Sequence, residues 1–132
     1  MERDYRPEMA AKQFQVTFDC AEPAKVARFW CEVLGYVANS GDDWAAATDP
    51  AGTGPRLYFQ RVPEGKTVKN RVHLDVRVGT GRVGAQRLST LEDEAARLIE
   101  LGATRVRLLP ANDDDESCMV MQDIEGNEFC LD

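Results

Sequence analysis

The stretch Val72-His73-Leu74-Asp75-Val76-Arg77-Val78 alternates apolar and polar residues without a break and contains the single histidine of the chain. A period of two predicts a strand with one face in a core and the other facing a polar space. Its polar face offers an imidazole, a carboxylate and a guanidinium. A near-copy lies upstream at Phe14-Gln15-Val16-Thr17-Phe18-Asp19-Cys20, with Gln15 standing where His73 stands. The echo predicts an internal repeat.

Working outward from the first copy, Glu22-Pro23 opens a helical pattern, since proline fits the first turn of a helix, where its missing N–H costs nothing. Val26, Phe29, Trp30, Val33 and Leu34 follow as an apolar stripe, and Gly35 is a natural C-cap. Three strands are expected next, over 36–39, 44–48 and 56–61, separated by turn-forming residues. The second copy runs over 72–78 and passes through a glycine-containing loop, 79–84, into a second helix. Ser89-Thr90-Leu91-Glu92 reads as a capping box, with an earlier start near Gly84 as the alternative. Leu91, Ala95, Leu98 and Ile99 form its stripe and Gly102 ends it. Strands are expected at 104–109, 118–122 and 128–131.

Each half therefore reads strand–helix–strand–strand–strand, module 1 over about 14–62 and module 2 over about 71–132. A unit of that size buries too little surface alone, so the two should share one core as a single domain over 1–132. The predicted fold is α+β: two tandem βαβββ modules, with helices on one face of a curved mixed sheet and the polar strand faces around a cavity.

Composition narrows the function. The 132 residues carry a net charge of −7, and such a surface repels phosphate backbones, so no nucleic-acid partner is expected. No apolar run approaches the roughly 20 residues of a membrane span. The charged start, Met1 to Pro7, does not read as a secretory signal, which points to the cytoplasm. The run Asp113-Asp114-Asp115-Glu116 reads as a solvated loop, lacking the alternating ligands and glycine turn of a calcium loop. Cys20, Cys31, Cys118 and Cys130 show no C-x-x-C spacing and read as small buried hydrophobes. Gly79, Gly81 and Gly84 match G-x-G-x-x-G outside any Rossmann context, and read as a flexible loop at the cavity rim.

The repeat, the run Phe29-Trp30-Cys31-Glu32-Val33-Leu34-Gly35, the strand opening at His73 and Asp123-Ile124-Glu125-Gly126-Asn127-Glu128-Phe129 together resemble the vicinal oxygen chelate superfamily. That superfamily includes glyoxalases, bleomycin resistance proteins and extradiol dioxygenases. The last run resembles its D-P-x-G-N-x-x-E signature, with Ile124 in the proline position. The stretches over 56–64 and 69–75 resemble an uncharacterised glyoxalase-like subgroup.

The resemblance implies a divalent metal held by the opening and closing strands of each module. Those positions fall on Gln15, on Tyr58 or Gln60, on His73 and on Cys130, with Glu128 one pleat repeat before Cys130. Only His73 is a typical ligand in its usual place. A metal, if present, would use His73 with Gln15, Gln60, Glu128 or Cys130, and the departures favour a metal-free pocket. By alternation the polar side collects Gln15, Thr17, Asp19, Arg56, Tyr58, Gln60, His73, Asp75, Arg77, Glu128 and Cys130, with Trp44 as a further aromatic wall. Cross-strand ion pairs account for some of these, and a small-molecule site for others.

Two chemistries follow. His73 acts as general base, oriented by Asp75 or Asp19, with Glu128 as a second proton-transfer group and Arg56 or Arg77 holding an anion. Alternatively Cys130 is a thiolate nucleophile beside His73. The expected function is binding of a small polar or anionic metabolite, with lyase or isomerase chemistry. The alternatives are a non-catalytic sequestering protein of the bleomycin-resistance kind and a partner or regulatory domain. The resemblance also implies a homodimer.

Overall fold

The computed structural model describes Glu8 and residues 10–132, and the charged stretch Met1–Pro7 lies outside them. Eight strands and two helices follow in the expected order. Strand β1 spans Gln15–Cys20, helix α1 Pro23–Leu34, β2 Val37–Ser40, β3 Trp44–Thr48 and β4 Arg56–Arg61. The second module carries β5 Leu74–Val76, α2 Gly84–Glu100, β6 Thr104–Leu109, β7 Cys118–Gln122 and β8 Glu128–Leu131. The strands form two four-stranded mixed sheets, in the orders β1-β4-β3-β2 and β5-β8-β7-β6. In each, the opening strand pairs parallel with the closing strand and the other neighbours are antiparallel.

The helices form where the stripes predict. Pro23 sits in the first turn of α1, and Gly35 closes the helix at φ 71°, a left-handed conformation that costs glycine nothing. Helix α2 begins at Gly84, so Ser89 to Glu92 lie inside it and make no capping box. The buried face of the helix runs one turn further back from Leu91, to Arg87. Gly102 adopts φ 109° just beyond the end of α2.

Val26, Phe29, Trp30 and Val33 of α1, with Leu91, Ala95 and Leu98 of α2, pack on Ala45, Ala47, Leu57, Phe59, Met119, Met121, Phe129 and Leu131 from the strands. These belong to one continuous core drawn from both modules. Trp30 is the bridge. Its ring lies 5.5 Å from Phe18 in β1 and 5.0 Å from Phe129 in β8, and its indole N–H donates to Asp123 at 3.0 Å. Burying an aromatic side chain of this kind contributes on the order of 3 kcal/mol.

The opening strand of module 2 is shorter than its alternation predicts. Only Leu74–Val76 are paired, against Phe129–Leu131, and His73 immediately precedes the strand. The ladder cannot be longer than the short β8 that templates it. Val72, left outside, is 78% exposed. The second strand likewise starts one residue late, at Val37.

Candidate functional site

Strand register builds the polar face of module 1 in three rows. Gln15 pairs with Arg56, Thr17 with Tyr58 and Asp19 with Gln60. The rows are tied by side chains: Arg56 donates to Gln15 Oε1 at 3.0 Å, and the Gln60 amide donates to Asp19 Oδ1 at 2.8 Å. On β3, Trp44 lies opposite Gln60, and its ring stacks on Tyr58 at 6.1 Å and 7°. The Arg56 guanidinium lies 5.2 Å from the centre of the Tyr58 ring.

Module 2 presents its own group. His73 Nδ1 and Asp75 Oδ1 are 3.0 Å apart, with both side chains about half exposed, at 45% and 47%. Asp75 pairs across the sheet with Cys130, and donor atoms of His73, Asp75 and Cys130 all lie within 4.8 Å of one another. Burial pushes the Cys130 thiol up to about 12, and Cys118, Asp75 and Asp132 add to the shift. A thiol in these surroundings is protonated at neutral pH, which works against the thiolate-nucleophile expectation.

The remaining expected residues are engaged elsewhere. Burial raises the Glu128 carboxyl, but the Asn70 amide at 2.9 Å and the Lys66 ammonium at 3.1 Å outweigh it and hold it below its ordinary range. Glu128 is therefore not among the donors that gather at His73. Arg77 faces Asp132, with Nε 2.7 Å from Oδ1. That oxygen is buried and receives no aligned hydrogen bond, so the contact is an ion pair held by proximity.

Two cavities flank the sheets. One, of about 720 Å³, opens beside β1 and is lined by Thr17, Asp19, Lys66, Asn70, Glu125 and Glu128. The other, of about 910 Å³, is lined by Arg77, Arg82, Arg87, Cys118 and Asp132 among others. His73, Asp75, Cys130, Gln15, Arg56, Tyr58 and Gln60 line neither. Of these, Gln15, Arg56, Gln60, His73 and Asp75 are exposed, Tyr58 is half-buried and Cys130 is buried, and they fall in two groups, one per module.

Sequence reasoning missed Arg87, Lys66 and Asn70. Arg87 is buried in α2, donating to the Ser117 carbonyl at 2.8 and 3.1 Å and to the Gly79 carbonyl at 2.9 Å. It stands four residues before Leu91 on the apolar stripe, the signal that could have found it. Lys66 and Asn70 sit in an aperiodic linker that carries no such signal.

The metal implied by the resemblance meets a changed donor set. Gln15 and Gln60 are committed to Arg56 and Asp19, Tyr58 to its stack, and Glu128 to Lys66 and Asn70. The donors that do converge are one imidazole nitrogen, one carboxylate oxygen and one sulfur. Ligands of a tetrahedral ion lie roughly 3.3–3.6 Å apart, so this trio is compatible with a thiophilic divalent ion after closing by about 1 Å.

A family model described as a glyoxalase-like domain matches residues 15–131. No curated protein matches the chain in sequence. Among solved structures, a glyoxalase/bleomycin resistance protein/dioxygenase family enzyme from Burkholderia phytofirmans superposes with a TM-score of 0.66 at 16% identity, over 89% of this chain and 94% of that one. A mutant of the fosfomycin resistance protein FosX of Listeria monocytogenes, complexed with Mn(II) and 1S,2S-dihydroxypropylphosphonic acid, superposes at 0.69 with 13% identity, over 93% and 90%. The hypothetical protein SA1046 of S. aureus gives 0.63 at 14%, over 91% and 95%. At these identities the likeness is one of fold.

Proposed function

The chain belongs to the glyoxalase-like domain family, and from that premise we propose that it binds a small polar or anionic metabolite on the polar faces of its sheets, with His73 as the proton-transferring group. The observation that carries the reading is the His73–Asp75 pair at 3.0 Å on exposed sheet surface. With the proton on Nδ1 donated to the carboxylate, the Nε2 lone pair is left for a substrate. In lyase or isomerase chemistry, Nε2 would take a proton from an acidic C–H and return it to a neighbouring atom, while Arg56 holds the anionic group. Glu128, held ionised by Lys66 and Asn70, is a second acceptor at the β1 cleft.

A divalent metal enters this reading only at His73, Asp75 and Cys130, where it would supply a Lewis acid. The alternative is sequestration without turnover. It is favoured by Gln15, and by Tyr58 or Gln60, at the positions where the resemblance places metal ligands. Turnover of a bound ligand separates the two.

The reading also includes a homodimer in the cytoplasm. A second copy would enclose faces that one chain leaves open, and β1 and β5 each have a free edge among the described residues. Sedimentation of a monomer at micromolar concentration would count against it. No helix among the described residues is long and apolar enough to cross a membrane.

Thermal shift against small carboxylates, phosphonates and hydroxy-carbonyl compounds tests the binding claim. Ligand at a hundred times its Kd stabilises the native state by about 2.7 kcal/mol. A stabiliser whose effect is lost in His73→Ala supports the reading. One that stabilises wild type, His73→Ala and Arg56→Gln equally contradicts it.

A further inference from the structure

We infer that Cys118 and Cys130 form a redox modification site: hydrogen peroxide converts the two thiols reversibly into a disulfide, and the change is felt at the neighbouring His73–Asp75 pair. The register of module 2 puts both cysteines on one side of its sheet. Cys130 in β8 lies opposite Val120 in β7. Cys118 stands two residues from Val120, so the two cysteines are diagonal neighbours on the same face. Diagonal neighbours in a sheet are roughly 7 Å apart at the backbone, the outer limit for a disulfide. The side chains lean together across that gap, and the two thiols share a hydrogen bond. The other cysteines have no such neighbour. Around Cys20 the titratable groups are Glu125, Asp123 and Asp19, and beside Cys31 stands Glu32, with no second sulfur among them.

Exposure sets the order of events. Cys130 is 8% exposed, whereas Cys118 is half-buried and lines the cavity of about 910 Å³. A small oxidant therefore reaches Cys118 first. Its sulfur attacks one peroxide oxygen, the O–O bond breaks, and a sulfenic acid forms with release of one water. The Cys130 sulfur then displaces the hydroxyl from Cys118. The S–S bond forms, and the hydroxyl leaves with the Cys130 proton as a second water. The two thiols together give up two electrons and the peroxide takes both. Contact with Cys118 makes this second step intramolecular, which offsets the low reactivity of a buried thiol. A bridge at the limit of its reach belongs with the readily reduced, regulatory disulfides. Its effect extends to the sheet surface through Cys130, the register partner of Asp75. The Cys130 sulfur lies within 4.8 Å of donor atoms of both His73 and Asp75.

Mass spectrometry of the full chain after graded hydrogen peroxide tests the site. At a dose that fully oxidises free glutathione, wild type is expected to lose two of its four thiols and the mass of two hydrogens. Peptide mapping should find Cys118 linked to Cys130 within one chain, and dithiothreitol should restore both thiols. Cys130→Ser should instead hold Cys118 as a sulfenic acid, trapped by dimedone, while Cys118→Ser keeps its three thiols. Circular dichroism and the Tm establish that each variant is folded. Four free thiols in wild type at that dose would overturn the site. So would a link through Cys20 or Cys31, a link between chains, or the absence of a dimedone adduct in Cys130→Ser. The His73 Cε1–H proton resonance reads the coupling. Oxidation of wild type is expected to shift it and reduction to return it, and a resonance unmoved by the formed disulfide would overturn the coupling. None of these outcomes involves a ligand, so the thiol pair and the proposed binding face stand or fall separately.

Discussion

Asp123 shows how much a single residue can hold. Its carboxylate is buried and accepts from the Trp30 indole at 3.0 Å, from the Glu125 and Asn127 amides at 2.9 Å each, and from the Asn127 side chain. Removing the acceptor strands several donors at once, and a buried unsatisfied group costs about 1–3 kcal/mol. Asp123→Ala is expected to lose about 3 kcal/mol or more in urea unfolding. A loss below about 0.5 kcal/mol would contradict this account of the turn. Glu128 has a different signature. Its folded-state pKa is depressed, so it contributes stability above the ordinary carboxylate range that is lost as pH falls through the depressed value. Glu128→Gln should therefore be less stable than wild type at pH 7. The gap should close on acidification below about pH 4.3, and a gap independent of pH would remove the ion pair from the explanation.

Among the elements, α1 begins without a side-chain cap of its own. The service comes from the other module: Glu125 Oε1 accepts from Ala21 N–H and Oε2 from Glu22 N–H, both at 2.8 Å. A carboxylate beside a helix N-terminus is also favoured by the helix dipole. Glu125→Ala is expected to cost about 1 kcal/mol and to speed hydrogen exchange at the Ala21 and Glu22 amides. Unchanged exchange there would show that the cap carries no weight. This cross-module contact was not legible in the sequence, where Glu125 is one residue of a signature turn. The elements themselves were more legible. Pro23 and Gly35 bracket α1 because their backbone constraints are local, and β3 and β4 fall at their expected residues. Strand β5 departs from its alternation because ladder length depends on a distant partner.

At the scale of the whole molecule, the repeat was readable because each module writes the same periodicities in the same order. Alternation also sorted residues onto faces, as Gln15, Arg56 and Tyr58 on one sheet and Asp75 with Cys130 on the other show. It could not say how the faces meet. Nor could it say that Lys66 and Asn70, in an aperiodic linker, would take Glu128 away from His73. The sheet surface is left carrying two chemistries, a cationic aromatic row on module 1 and an imidazole–carboxylate pair on module 2.

The claim that this surface is a ligand site has one direct measurement, because His73 is the only histidine. Its imidazole Cε1–H gives one proton NMR resonance to follow during titration with compounds that raise the Tm. A stabilising ligand is expected to move this resonance saturably, with the same midpoint as its thermal effect. A ligand that stabilises the protein and leaves the His73 resonance unmoved to saturation would contradict it.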